Sequence, residues 1–492
     1  VHQNMSACTA SIADASIEDG FCAALFAGAF ERARGLDVDG EEILVLERGQ
    51  SQIVALFDED DDGIAEKRNV IGSADGLNHG LVLNGNDLYA SSATTVYRWK
   101  YEGSGGLAKD RKVIVSGIPG SGHVTRTLLI ENNKWLYISV GSRSNVDEDS
   151  SRSNVRRCDL SLLSNDVEKI LDFESECELF ADGLRNEVGL AMDRYSILWG
   201  VENAADRLSR DDLGGSSASN DNPAEELNRL VLNDKGQPQH YGYPYCFTEY
   251  LLDPEYGLGR GTIWSWPGAE GAHGYDDESC RNSTTPPILA MQGHSAPLGI
   301  TFYDFSQIHH QEENCQGTFP EEYDGNAFVA FHGSWNREEP TGYKVVRIPM
   351  DESGPIVDDP IDFLKHNGPS ARWPSGFRPV DVKFDHCGRL LVSSDGTRSG
   401  TEYSEGVIVR ICFGACGGGN YTEIWNGGSG NEPNEWYEKS NFVAYLATVA
   451  GVLLLICLCS CLFLFRRFRS RQQRWAYSKS NTNKATDDKD SN

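Results

Sequence analysis

Short apolar runs punctuate this chain at recurring intervals. Two or three polar or glycine residues lead into an apolar stretch that ends in Ser, Gly or Asn: NDLYASS at Leu88, KWLYISVGS at Leu136, SILWGVEN at Leu198, NAFVAFHGS at Phe328 and GRLLVSSDG at Leu391. A second unit trails several of them: Thr95–Trp99, Tyr343–Ile348 and Val407–Ile411. β-branched and aromatic runs bounded by Gly, Asn and Asp read as strands. Two or more strands in each interval of 48 to 63 residues predict propeller blades. The interval from Leu198 to Phe328 is 130 residues, close to two periods, so an unseen unit is expected there and the count comes to about six blades. That stretch holds Asp206–Ala290, rich in Asp, Asn, Ser, Gly and Pro, which reads as an elaborated loop region on one propeller face.

One run breaks the pattern. Phe442–Phe465 is 24 residues without a charge, long enough to cross a bilayer core of about 30 Å as a helix. Arg466, Arg467, Arg469, Arg471 and Arg474 follow it, and basic flanks stay cytoplasmic. The expected order is therefore an N-terminal extension at 1–19, an all-β six-bladed propeller at 20–418, a Gly-rich stalk at 419–441, one C-terminal transmembrane α-helix at 442–465 and a cytoplasmic basic tail at 466–492. The propeller would be extracellular or lumenal. Phe21–Phe30 is too acid-flanked for a signal peptide, so any cleaved signal is expected upstream of Val1.

Charge and cysteine sharpen this. Setting aside the tail's eight basic and three acidic residues leaves 36 and 70, a net charge of −34. Nucleic acid wants a basic footprint and is excluded as a partner. Ten of the thirteen cysteines precede the apolar run, an even number suited to disulfides in an oxidising compartment. Asn4, Asn282 and Asn420 head glycosylation sequons.

Candidate chemistry lies in Gly-rich loops beside strands: Arg48 after LVLE, Asn78 and His79 in GLNHGLVL, His123 in GSGHVTRTLLI, Arg185 and Asn186 in GLRNEVGLAM, His332 and Arg337 in FHGSWNREEPTGY, and Arg378 in WPSGFRPVDV. Several arginines and histidines around a propeller channel suit a small polyanion, because guanidinium pairs bidentately with carboxylates. A histidine among them can take a proton from a hydroxyl. Separately, Asp58, Asp60 and Asp62 with Gly63 match the first half of a calcium loop. Asn69 rather than Glu stands at its twelfth position, so no EF-hand closes. A structural Ca²⁺ site and a solvated acidic hairpin both fit.

From about Gly20 to Gly418 the chain resembles the PQQ-dependent sugar dehydrogenases, especially the L-sorbosone and fungal pyranose dehydrogenase branch. The resemblance rests on LVLERG, DEDDDGIAEKR, LNHGLVL, GHVTRTLL, LYISVGSRSNVDE, GLRNEVGL, EELNRL, YGYPYC, HSAPLGI, FVAFHGSWNR, TGYKVVRIP and FRPVDVKFD. It implies a six-bladed propeller holding PQQ and Ca²⁺ in the channel mouth. It makes His123 the base and Arg185 the group that stabilises charge on the quinone oxygen. Asn186, Arg378, His332, Asn78, Arg48 and Arg337 become cofactor contacts, and the backbone carbonyls of Ala204 and Ala205 the metal ligands. A sugar would be the substrate. With no CxxCH haem motif in the chain, electrons would leave to a separate acceptor. Two other readings share the fold. A non-catalytic receptor propeller of the Hedgehog-interacting type would have no use for a base and several arginines aimed at one cofactor. A lactonase-type hydrolase would need several acidic and amide side chains converging on a metal.

Overall fold

Period-two alternation lets a strand bury both faces when a sheet packs on each side of it. Residues Trp135–Val140 do this: Leu136 and Ile138 pack toward one neighbouring sheet and Tyr137 toward the other. In the computed structural model, six such sheets stand side by side as propeller blades. The structure describes residues 12–416 apart from 164–167, 269–273, 309–314 and 400–401. The chain divides into Val1–Gly427 and Gly428–Asn492, and the described residues all belong to the first unit.

Each blade runs outward from an inner strand. Blade 1 is Ala33–Asp39, Glu42–Glu47, Gln52–Phe57 and Lys67–Ser73. Blade 2 is Leu81–Asn84, Asp87–Ser91, Val96–Lys100 and Lys109–Ser116, with Leu171–Asp172 added in parallel. Blade 3 is Leu128–Glu131, Trp135–Val140, Asn154–Asp159 and Cys177–Asp182, with Gln239–His240 added. Blade 4 is Glu187–Met192, Leu198–Glu202, Glu225–Leu230 and Leu289–Met291. Blade 5 is Pro297–Phe302, Ala327–Phe331, Lys344–Ile348 and Ile361–His366, and Ala15–Ile17 pairs on its outer edge. Blade 6 is Pro379–Phe384, Leu390–Ser394 and Gly406–Phe413. The N-terminal strand Phe21–Phe30 completes it antiparallel to Gly406–Phe413, from Phe21 opposite Phe413 to Phe30 opposite Gly406. The ring is thus closed by both ends of the propeller segment, which leaves no open seam between first and last blades.

The five units read from the sequence are the second strands of blades 2 to 6. The sixth is Glu42–Glu47 in blade 1, and not a hidden unit between Leu198 and Phe328. That long interval is a single period lengthened by insertions on either side of Glu225–Leu230. The insertion carries the hairpin Cys246–Thr248 with Ile263–Ser265, the helix Asp277–Ser283 and the Cys246–Cys280 disulfide. It buries its own small core of Leu208, Leu213, Phe247, Leu252 and Trp264. Asp276 caps the helix through Ser279, so even this loop region is pinned locally.

The main cores lie between blades. Phe319, Phe328, Phe363 and Phe384 meet edge-on or tilted between blades 5 and 6, with Phe319–Phe328 centroids 5.6 Å apart. Each such pair adds about 0.5–1.5 kcal/mol beyond area burial. Cys158–Cys177, Cys315–Cys387 and Cys412–Cys416 are also disulfide-bonded. No helix among the described residues is long and apolar enough to cross a membrane, and the run Phe442–Phe465 lies outside them, as do the stalk and the tail.

Candidate active site

In an antiparallel pair, the start of one strand and the end of the next share an edge. Every residue singled out beside a strand obeys this rule. Asn78, His123, Arg185, Asn186 and Arg378 precede the inner strands of blades 2, 3, 4 and 6. Arg48, Ala204, Ala205, His332 and Arg337 follow the second strands of blades 1, 4 and 5. All therefore lie at one face of the propeller. Hydrogen bonds link the blades there. Asn78 Nδ2 donates to the Val124 carbonyl at 2.8 Å. The Ser142 N–H donates to the Arg185 carbonyl at 2.8 Å, and Asn336 Nδ2 to Asp206 Oδ1 at 2.8 Å. Asp395 joins His332 of blade 5 to Arg34 of blade 1, at 2.9 and 3.0 Å.

His123 occupies one side of this face. Its Nδ1 lies 2.9 Å from the Ser142 carbonyl oxygen, which can only accept. Nδ1 therefore carries the proton, and Nε2 keeps its lone pair. Burial, reinforced by the charge of Arg185, lowers its pKa to about 4, so the ring is neutral and basic at ordinary pH. The adjoining loop is tight. A Cβ on Gly141 would meet Asn186 Oδ1 and come within 2.7 Å of His123 Cβ, so only glycine lets these two side chains close on one another.

Arg185 is buried, and its N–H groups are matched by five acceptors. Nε donates to the Asn145 carbonyl at 3.1 Å. Nη1 donates to the carbonyls of Asn203 and Ala204 at 3.1 and 2.7 Å, and Nη2 to Asn145 Oδ1 and Asp206 Oδ2 at 3.1 and 3.3 Å. It is locked beside His123 and holds the Ala204 carbonyl, while Ala205 is buried next to it. Asp206 also faces His294 Nδ1 at 3.3 Å. Burial opposes charge on His294, but the Asp206 hydrogen bond and the nearby Glu225 raise its pKa.

The opposite side is cationic. Arg48 makes no hydrogen bond or ion pair through its guanidinium with any described residue; burial, and then Arg34 and Arg32, lower its pKa. Arg378 donates to the carbonyls of His332 and Gly333 at 3.2 and 3.3 Å and stands over the Tyr343 ring. Burial lowers the pKa of His332, against the pull of Asp395, and drives that of His79 far down. Asp395 is paired with His332 and Arg34, and Arg378 adds its charge nearby. Burial alone would raise its pKa, but those three outweigh it and hold it well below the usual range. Among the described residues, Asn78 Oδ1, His79 Nδ1 and Arg34 Nε are buried with no hydrogen-bond partner. Buried polar atoms of this kind can take up the polar groups of a ligand.

Arg337 is placed elsewhere. Its Nη2 donates to Asp221 Oδ1 at 2.7 Å and its Nη1 to the Gly293 carbonyl at 3.3 Å, so it ties the blade 4 insertion to the loop of blade 5 rather than joining the cationic side. Asp58, Asp60 and Asp62 lie apart from this face, on the loop that joins the two outermost strands of blade 1. Arg34, Ser142, Asp206, His294 and Asp395 join the site without having stood out in the sequence. Asp206 and Asp395 each follow a second strand, as His332 does, so that position was itself the signal.

The TrAA12-like family model matches residues 15–401. A pyrroloquinoline quinone-dependent pyranose dehydrogenase from Coprinopsis cinerea is 28% identical over 346 residues, 68% of this chain and 44% of that protein. The chain thus spans less than half the length of that relative. A pyrroloquinoline quinone-dependent sugar dehydrogenase from Hypocrea jecorina (strain QM6a) is 30% identical over 345 residues, 65% of this chain and 72% of that protein. The calcium structure of a Carbohydrate-Active Enzymes Family AA12 protein from Trichoderma reesei superposes with a TM-score of 0.70 at 26% identity, over 84% of this chain and 99% of that one. The holo form of the pyranose dehydrogenase PQQ domain from Coprinopsis cinerea gives 0.66 at 26% identity, over 80% and 97%. With blades, channel face and family match running together from Ala15 into the sixth blade, the chain belongs to the TrAA12-like family.

Proposed function

We propose that this chain is a PQQ-dependent oxidoreductase that oxidises a pyranose or sorbosone-like sugar at its hemiacetal carbon. The observation that carries this reading is the pairing of a neutral, correctly tautomerised His123 with an arginine cluster on one face of the propeller. PQQ is a tricarboxylate. In a chain this acidic, the guanidinium of Arg48, unpaired among the described residues, the Arg378 head group and the orphaned Arg34 Nε are donors that fit its carboxylates and carbonyls. PQQ held there would supply a two-electron acceptor for the hydride of the sugar carbon, and Ca²⁺ a Lewis acid. Nε2 of His123 takes the hydroxyl proton of the sugar. Burial, and then the charge of Arg185, keep His123 neutral, and the Arg185 carbonyl orients the Ser142 loop. The Ala204 carbonyl accepts from Arg185 yet has a second lone pair, so it can still offer an oxygen to Ca²⁺.

The apolar run Phe442–Phe465 and its arginine flank support a single-pass anchor with the propeller outside, delivering electrons to a separate acceptor. The test is reconstitution of the purified protein with PQQ and Ca²⁺ followed by sugar-dependent reduction of an artificial dye. A PQQ-loaded protein inert toward a panel of pyranoses and sorbosone would reject the reading.

A further inference from the structure

The loop between Gln52–Phe57 and Lys67–Ser73 of blade 1 gathers carboxylates far from the channel face. One oxygen each from Asp58, Asp60, Asp62 and Glu66 lies within 4.8 Å of all the others. Oxygens bound to one Ca²⁺ at about 2.3–2.6 Å span at most about 4.6–5.2 Å, so this set already has the spread of a coordination shell. Glu66 is three positions short of the twelfth position of an EF-hand, so the sequence pattern alone does not find it.

A second observation is independent of the acidic count. The Asp58 side chain is only 7% exposed. Its Oδ2 accepts from Arg410 Nη1 at 2.7 Å and from the Gly63 N–H at 3.2 Å, while its Oδ1 is buried with no hydrogen-bond partner. A buried carboxylate oxygen without a donor costs about 1–3 kcal/mol or more. Among the described residues no donor relieves it. Arg410 is committed to Asp58 Oδ2 and Asp385, and Lys67 pairs with Glu59 at 3.3 Å.

The place matters. Arg410 belongs to the last strand of blade 6 and is 2% exposed; it stacks over Phe26 of the N-terminal strand, 4.0 Å from the ring centroid. The acidic loop of blade 1 therefore grips the two strands that close the ring. We propose that Asp58, Asp60, Asp62 and Glu66 bind a Ca²⁺ ion that locks the seam between blade 1 and the closing blade 6. The site needs no PQQ and stands whether or not the redox reading does.

The experiment uses the purified full chain, free of PQQ and stripped with a chelator. Calcium is titrated to about 5 mM by calorimetry, with thermal melts alongside. The comparison is Asp60→Asn/Asp62→Asn. Asparagine keeps the Oδ1 that accepts from the Asp62 and Ile64 N–H groups, so these two loop hydrogen bonds survive while the charge is lost. Glu66→Gln is the second variant, on the opposite side of the set. The wild type should bind one more ion per chain than either variant, and calcium should raise its melting temperature more than theirs. An ion at the channel face would persist in all three proteins. Equal ion counts and equal melting shifts in wild type and variants, or no calcium binding by the wild type, would overturn the proposal.

Discussion

Replacing Arg48 by glutamine separates a cofactor contact from a structural one. Arg48 makes no ion pair or hydrogen bond through its guanidinium among the described residues, and its nearest cationic neighbours, Arg34 and Arg32, disfavour its charge. In the PQQ-free protein the substitution removes the repulsion of Arg34 and Arg32, at the cost of a weaker attraction to Asp395, and breaks no hydrogen bond or ion pair among the described residues, so stability should hold or rise slightly. In the PQQ-bound protein it removes a charge-assisted hydrogen bond, worth about 1.5–3 kcal/mol. At about 1.4 kcal/mol per decade that is about ten- to a hundredfold in Kd; the partial exposure of Arg48 and solvent screening place the value nearer tenfold. The assay pairs melting of the PQQ-free variant with a calorimetric PQQ titration. An unchanged Kd together with a loss of more than about 1 kcal/mol of stability would make Arg48 a structural residue and refute the reasoning.

His123→Gln should leave PQQ affinity intact while turnover falls about 10²–10⁴-fold, the usual worth of a positioned base; PQQ titration and dye reduction on the same sample check both. Because the pKa of His123 is lowered to about 4, activity should be independent of this group above about pH 5 and fall on acidification through pH 4. The sign for stability follows from the same depression. The unfolded chain takes up this proton near pH 6.5 and the folded chain only near 4, so the contribution is full above 6.5 and is lost as pH falls across that window, by at most about 3 kcal/mol. Denaturant melts of His123→Gln should show a shallower acid slope there than wild type. Gly141→Ala should press Asn186 and His123 apart, lowering turnover and costing about 1–3 kcal/mol in a thermal melt.

The fold was legible where the chain repeats itself. Second strands are buried on both faces and must be apolar throughout, so Leu88, Leu136, Leu198, Phe328 and Leu391 stand out; the flanking edge strands carry weaker patterns. Glu42–Glu47 reads as a strand before Arg48 but does not join the repeat, because its ERGQ ending lacks the Ser or Asn close of the others. The long interval misled because the insertion builds its own core of Leu208, Phe247 and Trp264, and length alone does not distinguish an insertion from a blade. His123, Arg185, Asn186 and Arg378 were visible as polar residues in Gly-rich loops before inner strands. Asp395 and Arg34 were not, because a carboxylate that organises arginines has no signature of its own, and Arg34 sits inside a strand rather than a loop. Arg337 shared the loop of His332, yet Asp221, 116 residues away in sequence, draws it toward the insertion. Contacts of that range are fixed by the ring and not by local pattern.

The central claim is that the arginine side of the channel face is built for PQQ beside a neutral base. Titrating PQQ into the purified, cofactor-free protein and following binding by calorimetry tests it most directly. The account predicts saturation at one PQQ per chain with a Kd of about 1 μM or tighter, weakened by Arg48→Gln and unaffected by His123→Gln. No binding at about 100 μM PQQ, or binding that ignores Arg48 and Arg378 alike, would contradict it.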